Sequence, residues 1–284
     1  MIYEENIMEI AIVVIAAIAV LLFVAWLLMA KPRRRRPEAE SYARVRYAHR
    51  GLHGNGVPEN SSTAFRLAVE KGYGIELDLQ TTKDGTVVVF HDGTMKRMCG
   101  ENVAGGVIDY TLAELSEMRL AETDEKIPTF AEVLALVGGK VPLCIEIKND
   151  GDGIDTTRRA LALLADYDGK YCIESFNPLI IQYVKKNAPH IVRGVLSQRF
   201  FQEKEYRKPL HFLLGILAFN FLAKPDFIAF NGHHASSLPL RYARKCGAYT
   251  LAWTVASEED EAYVRSHGFD SVIFEKYIPK EDTV

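Results

Sequence analysis

Residues 74–92 read GIELDLQTTKDGTVVVFHD. The first seven residues predict a strand: Glu76 and Asp78 are two apart and so share one side of it. Only TTKDG separates this strand from the apolar run 86–92. A parallel crossover takes about a dozen residues or more, whereas Asp84-Gly85 suffices for a hairpin turn. The run 86–92 is therefore predicted to return antiparallel over the rim of whatever sheet 74–80 belongs to. Its end, His91-Asp92, then lies near the loops at that rim.

Working outward, further strand-like runs occupy 44–49, 141–148, 170–175, 191–196, 226–231, 248–255 and 270–275, with amphipathic helical patterns between most of them. Several of those patterns start on Ser, Thr or Asn and stop at Gly, as helices do. Strand–helix alternation implies a parallel sheet, and eight strands imply closure into an α/β (β/α)8 TIM barrel, here 44–284. The length of 284 residues with 48% apolar residues suits such a domain. A net charge of −3 and a pI near 6.3 argue against nucleic acid as a partner. Cys99, Cys144, Cys172 and Cys246 form no CxxC pair, so free thiols are expected rather than zinc or a redox centre.

Ahead of the barrel, residues 10–30 (IAIVVIAAIAVLLFVAWLLMA) carry no charge over 21 positions. At 1.5 Å per residue a helix of that length spans roughly 30 Å, one bilayer core. The preceding segment, 1–9, is acidic, and KPRRRRP follows at 31–37. That asymmetry predicts a single uncleaved transmembrane helix with the N-terminus outside and the barrel cytoplasmic. The arginines of a basic linker, 31–43, are expected to touch anionic headgroups.

The side chains that carry chemistry cluster at predicted strand ends. Glu146 and Lys148 repeat the i, i+2 arrangement of Glu76 and Asp78. Carboxylates buried in a barrel are costly unless paired, by Lys148 and Arg50 or by a hard divalent cation, Mg²⁺ or Ca²⁺, which takes oxygen ligands. The cation is the favoured alternative, because His49 and His91 stand at the ends of strands alongside.

The segments AHRG…PEN (48–60), 76–92, IPTFAEVL (127–134), CIEIK (144–148), ESFNP (174–178) and AWTV (252–255) resemble, in order and spacing, the glycerophosphodiester phosphodiesterase family. The likeness runs from about residue 45 to 275. It implies that His49 and His91 are the general acid/base pair and that Glu76, Asp78 and Glu146 bind the metal. Arg50 and Lys148 would neutralise phosphate, Glu59 would support them, and Trp253 would wall the substrate. The implied reaction converts glycerophosphodiesters to glycerol 3-phosphate and an alcohol, with either the glycerol 2-hydroxyl or water attacking. LHGNGV (52–57) is expected to let the backbone approach phosphate, and His53 to lie in solvent or the outer shell.

Two departures stand out. Ala256 occupies a position where the family commonly has Asn, and Val272–Glu275 replaces a closing ITD; both are expected to alter headgroup preference. The long connection 197–225 holds 15 residues, 209–223, without Lys, Arg, Asp or Glu. It is expected either to cover the barrel or to dip into the membrane interface between Arg207, Lys208 and Lys224. The second alternative makes lysophospholipid a competing substrate, cleaved to lysophosphatidate. A non-catalytic, membrane-tethered barrel that binds lipid headgroups is the reading from another class.

Overall fold

The computed structural model describes residues 2–202, 204 and 208–280; Arg207 lies outside the described residues. Helix α1 (Ile2–Met29) is followed by a short helix α2 (Pro37–Ala43), and then by β1 (Tyr47–Ala48), α3 (Ser62–Glu70), β2 (Gly74–Thr81) and β3 (Val87–Val89). An excursion with α4 (Lys96–Cys99) and α5 (Leu112–Ser116) builds a small satellite core from Phe90, Met95, Met98, Val107, Leu115 and Ile127. The alternation then resumes with α6 (Phe130–Val137), β4 (Leu143–Ile147), α7 (Gly153–Leu164), β5 (Tyr171–Ser175), α8 (Pro178–Asn187) and β6 (Val192–Ser197). It ends with α9 (Pro209–Gly215), α10 (Asn220–Ala223), β7 (Phe227–Asn231), α11 (Leu238–Lys245), β8 (Tyr249–Val255), α12 (Glu258–Ser266) and β9 (Ser271–Phe274).

Eight strands, β1, β2 and β4–β9, pair in parallel, and β1 bonds both β2 and β9, so the barrel closes. The ninth, β3, pairs antiparallel with the upper half of β2, with Leu79 opposite Val89 and Thr81 opposite Val87. The turn between them has Gly85 at φ 86°, a conformation that glycine adopts without steric cost. The return strand predicted from TTKDG is thus present.

Two expectations for 31–43 change. Pro37–Ala43 is a helix: Ala39 and Ala43, one turn apart, are buried against Tyr47, Cys144, Cys172, Phe227 and Tyr249 and cap the base of the barrel interior. The arginine run is partly occupied by the barrel itself. Arg36 makes two 2.9 Å bonds to buried Asp226, and Arg35 lies 4.1 Å over the Tyr249 ring. A charge run beside an apolar helix is fully accounted for by membrane topology at the level of sequence, which hid this docking role.

The connection from β6 to β7 is a broken helix, interrupted at Leu217 (φ 60°), rather than one continuous element. It descends the outside of the barrel from the strand tops to the strand feet. Helix α1 is long and apolar enough, over Asn6–Met29, to cross a membrane.

Candidate active site

The site is assembled at the C-terminal ends of the strands, where (β/α)8 enzymes hold their reacting groups. In β2 the outward residues Ile75, Leu77 and Leu79 pack under the helices, which leaves Glu76 and Asp78 facing the interior. Register places Asp78 beside Glu146, and Glu146 beside Glu174 of β5, so three carboxylates share one level of the barrel. Oxygens of Glu76, Asp78 and Glu146 lie within 4.8 Å of one another, and all three residues are buried.

Burial, then repulsion from Asp78 and Glu146, pushes the Glu76 carboxyl well above its ordinary range. Asp78 behaves oppositely: burial raises it, but Lys148, His91, Arg50 and a 2.9 Å bond from the Asn60 amide outweigh burial and hold it low. Glu146 is raised by burial despite Lys148, whose ammonium sits 2.9 Å from Glu146 and 3.5 Å from Asp78. Lys148 thus ends against the carboxylates, and its own pKa is raised because the acids outweigh burial.

The loop after β1 brings His49 and Arg50 to this cluster. Arg50 adopts φ 54°, a strained value for a non-glycine residue, and its backbone N–H donates to Glu76 Oε2 at 3.1 Å. Its guanidinium donates to Glu59 Oε1 at 2.5 Å and lies 3.6 Å from Asp78. A Cβ on Gly51 would meet Ala64 at 2.8 Å, so only glycine lets this loop press onto α3. Gly54 and Gly56, expected to accommodate phosphate, instead sit in a tight turn closed by reciprocal Gly54–Val57 bonds.

Each histidine has its Nδ1 against a carboxylate. His49 Nδ1 is 2.9 Å from Glu275 Oε2, and His91 Nδ1 is 2.7 Å from Asp92 Oδ1. A carboxylate there favours the neutral tautomer with Nδ1–H, which leaves Nε2 as the bare nitrogen. His49 Nε2 lies 3.9 Å from Glu76. Burial lowers the His49 pKa, opposed by the Glu275 hydrogen bond, while His49 and then His53 hold Glu275 far below its usual range. His53 stands 3.7 Å from Glu275, behind His49. Glu59 and Asp92 are joined by Arg97 of the satellite excursion, a cation not singled out from the sequence.

His49, Arg50, Glu76, His91, Glu146 and Trp253 line one cleft. Trp253 stands edge-on to Phe176 at 5.5 Å and forms its apolar side. Two further members were missed. Glu174 is fully buried, neither of its oxygens makes a hydrogen bond of ordinary geometry, and burial followed by Glu146 pushes it up to about 8. Its signal in the sequence was its place in ESFNP, in register with Glu146. Glu275 falls inside the segment read as a departure, so its grip on His49 went unrecognised.

The donor set fits a hard divalent cation. The trio is all oxygen and buried, and with Glu174 it places four carboxylates against Lys148 and Arg50. Among the described residues two other acid–histidine groups are less suited: Arg97 already bonds Glu59 and Asp92, and Lys276 bonds Glu275.

Comparison with known proteins identifies relatives over most of the barrel. The model of the glycerophosphoryl diester phosphodiesterase family matches residues 49–277. A glycerophosphodiester phosphodiesterase of Caldanaerobacter subterraneus subsp. tengcongensis is 35% identical over 239 residues, covering 80% of this chain and 91% of the relative. A glycerophosphodiester phosphodiesterase structure from Thermotoga maritima superposes with a TM-score of 0.62 at 28% identity, covering 81% of this chain and 93% of the other. A phosphodiesterase from Oleispira antarctica, solved with the product sn-glycerol-3-phosphate, shares the fold at a TM-score of 0.68 and 23% identity, covering 84% and 95%. The protein is therefore a phosphoric diester hydrolase built on a (β/α)8 barrel. Within that class, the chain belongs to the glycerophosphoryl diester phosphodiesterase family.

Proposed function

We propose that this enzyme hydrolyses glycerophosphodiesters to glycerol 3-phosphate and an alcohol with a divalent cation, Mg²⁺ or Ca²⁺, held by Glu76, Asp78 and Glu146. The observation that carries the reading is the pairing of two carboxylate-anchored histidines with a buried oxygen cluster in one cleft. A cation there supplies countercharge for a phosphodiester whose non-bridging oxygens gain charge during displacement. With Nδ1–H held by Glu275 or Asp92, each histidine presents Nε2 to the cleft. One accepts the proton of the attacking hydroxyl, and the other, protonated, donates to the leaving alkoxide.

Arg50 is steadied by Glu59, itself kept ionised as Arg97 and Arg50 override its burial, so the guanidinium is available at the phosphate with its geometry fixed. Lys148 lies deeper, and its charge offsets the acids as well as the phosphate. The test follows glycerol 3-phosphate release from glycerophosphoethanolamine by the metal-stripped protein, with Mg²⁺, Ca²⁺ or chelator. Release that returns with metal and is lost in His49→Ala is the expected result. Full turnover in chelator would remove the metal from the mechanism.

A second substrate reading is supported by exposed apolar residues at the same rim, among them Phe201, Phe212 and Leu238. Lysophosphatidylcholine would place its acyl chain there and be cleaved to lysophosphatidate. Phe212→Asp with Leu238→Asp is expected to depress lysolipid cleavage while sparing the soluble diester; equal losses on both substrates would discard this reading. On the same footing, α1 is a single membrane span with the barrel on the cytoplasmic side.

A further inference from the structure

Helix α1 does more than lead into the barrel. Its last turns are fastened along the barrel wall, and the order of the contacts gives their direction. Trp26 Nε1 donates to the Ile216 carbonyl at 2.9 Å, and the Tyr242 hydroxyl donates to the Leu27 carbonyl at 2.6 Å. The Trp26 and Tyr242 rings pack at 5.3 Å, and the buried Asn220 amide donates to the Ala30 carbonyl at 2.8 Å. Lys224 then donates to the Lys31 carbonyl, the Arg33 N–H to the Pro225 carbonyl, and Arg36 to Asp226. Tyr242 of α11 apart, the partners named run from 216 to 226 as the chain runs from 26 to 36.

That partner segment has a known direction. Ser197, at the C-terminal end of β6, donates to the Leu214 carbonyl, and a Cβ on Gly215 would lie 3.0 Å from the Gln198 carbonyl, so residues 214–216 sit level with the catalytic rim. Asp226 immediately precedes β7 and belongs to the base. Followed backward from Ala30, α1 therefore climbs the wall and leaves it near the rim at Trp26. Beyond that point its apolar side chains from Ile10 to Val24 are exposed.

Around the point of departure the rim exposes several apolar side chains. Leu210 is 55% and Leu238 70% exposed, and Phe201 and Phe212 stack edge-to-face at 5.6 Å. Between the turn at 200–202, α9 and the start of α11 lies a groove of about 300 Å³ lined mainly by Phe200, Phe201, Phe212, Ile216 and Leu238, with Arg199 and His211 among its polar residues. Ile216 is the residue whose carbonyl holds Trp26, so groove and anchor are contiguous.

We infer that the catalytic rim is the bilayer-facing surface of this enzyme: α1 enters the membrane from the rim side, Phe201, Leu210, Phe212 and Leu238 rest in the interface, and the groove takes an acyl chain of a membrane lipid. The inference rests on α1 being a membrane span, and it deepens the proposed function by placing the cleft against the layer in which an acylated diester resides. Exposed apolar area of this kind on a tethered domain gains from transfer out of water.

The test uses the full chain reconstituted in phosphatidylcholine vesicles, with and without bromine on the acyl chains, and reads added tryptophan emission against the shared background of Trp26 and Trp253. Leu238→Trp probes the rim, Ile15→Trp the span, and Lys140→Trp the exposed turn before β4 at the base. Ile15→Trp and Leu238→Trp are expected to lose most of their added emission to bromine, and Lys140→Trp to keep it. Quenching of Ile15→Trp with Leu238→Trp no more affected than Lys140→Trp overturns the orientation; an unquenched Ile15→Trp overturns the span and the inference with it. Adding Tyr242→Phe and Asn220→Leu to Leu238→Trp should reduce its quenching severalfold without changing that at Ile15, whereas no change would show that the clamp does not aim the rim. None of these readouts depends on turnover, so a failed diesterase assay leaves them interpretable.

Discussion

The two ends of the barrel interior are built from the same strands and spend burial in opposite ways. At the base, Tyr47, Cys144, Cys172, Phe227, Tyr249 and Leu251 pack with Ala39 and Ala43 of α2 into an apolar cluster. Two residues further up the same strands, Cys144 gives way to Glu146 and Cys172 to Glu174. Carboxylates there are stripped of water and set against one another. Burial at the base lowers the free energy of the fold; burial at the top raises it and pushes Glu76, Glu146 and Glu174 toward their neutral forms, a cost that a bound cation would offset. The base tolerates this because it is sealed, by α2 and by Asp226, which holds Arg36 and accepts from the Arg193 backbone N–H at 3.2 Å.

The sharpest test of that division is Asp78→Asn or Glu146→Gln. Each removes charge from the upper layer, where several kcal/mol of countercharge is at stake, so turnover should fall on the order of 10³-fold. Metal-free thermal stability should hold or rise in Glu146→Gln, whose carboxyl is pushed up by burial, and should fall in Asp78→Asn, whose carboxylate Lys148, His91 and Arg50 stabilise. A melting temperature that falls together with activity in Glu146→Gln would show that the top is structural after all.

The converse experiment addresses the base. Asp226→Ala leaves the Arg193 guanidinium, already pushed down to about 10 by burial, without its acid, and frees Arg36. Removing one partner from a buried ionic group costs about 3–5 kcal/mol. Urea denaturation should show that loss, while kcat of the molecules still folded stays near the parent value. A kcat loss comparable to that of Asp78→Asn would erase the contrast between the two ends.

Glu275→Gln lies between these cases, since it touches the site through His49 alone. Turnover is expected to drop about 10- to 100-fold, less than the roughly 10²- to 10⁴-fold that a positioned acid–base group itself contributes, because His49 remains. The Glu275 hydrogen bond raises the His49 pKa against burial, so removing it lowers that pKa further. The acid limb of the rate profile should therefore move to lower pH. A smaller kcat with an unmoved limb would make Glu275 a packing residue only.

These expectations also mark what the sequence allowed. Period-2 placement exposed Glu76, Asp78, Glu146 and Lys148, and a five-residue spacer exposed the return of β3, because both follow from local geometry. Glu275 was hidden because its partner is 226 residues away and its segment departs from the family pattern. Arg36 and Arg97 were hidden for a related reason: an exposed-looking charge acquires a partner only when tertiary structure brings Asp226 or Glu59 to it. Helix α2 left a faint trace, Ala39 and Ala43 one turn apart, too short to outweigh its Pro, Arg and Glu neighbours.

Glu174 yields the smallest effect and the finest reading of the upper layer. Its folded-state pKa, about 8, lies above the ordinary glutamate value of 4.5. Below pH 4.5 the side chain is neutral in folded and unfolded chains alike and costs nothing. As pH rises through that value toward 8 and beyond, the unfolded chain ionises freely while the folded one resists, so stability falls. In metal-free protein, Glu174→Gln should recover about 1–2 kcal/mol above pH 8 and nothing at pH 4, and a divalent cation should shrink the difference by favouring the ionised parent. Parallel pH profiles for the two proteins would mean that Glu174 is already compensated, and the opposition between the ends of the barrel would then rest on Glu76 and Glu146 alone.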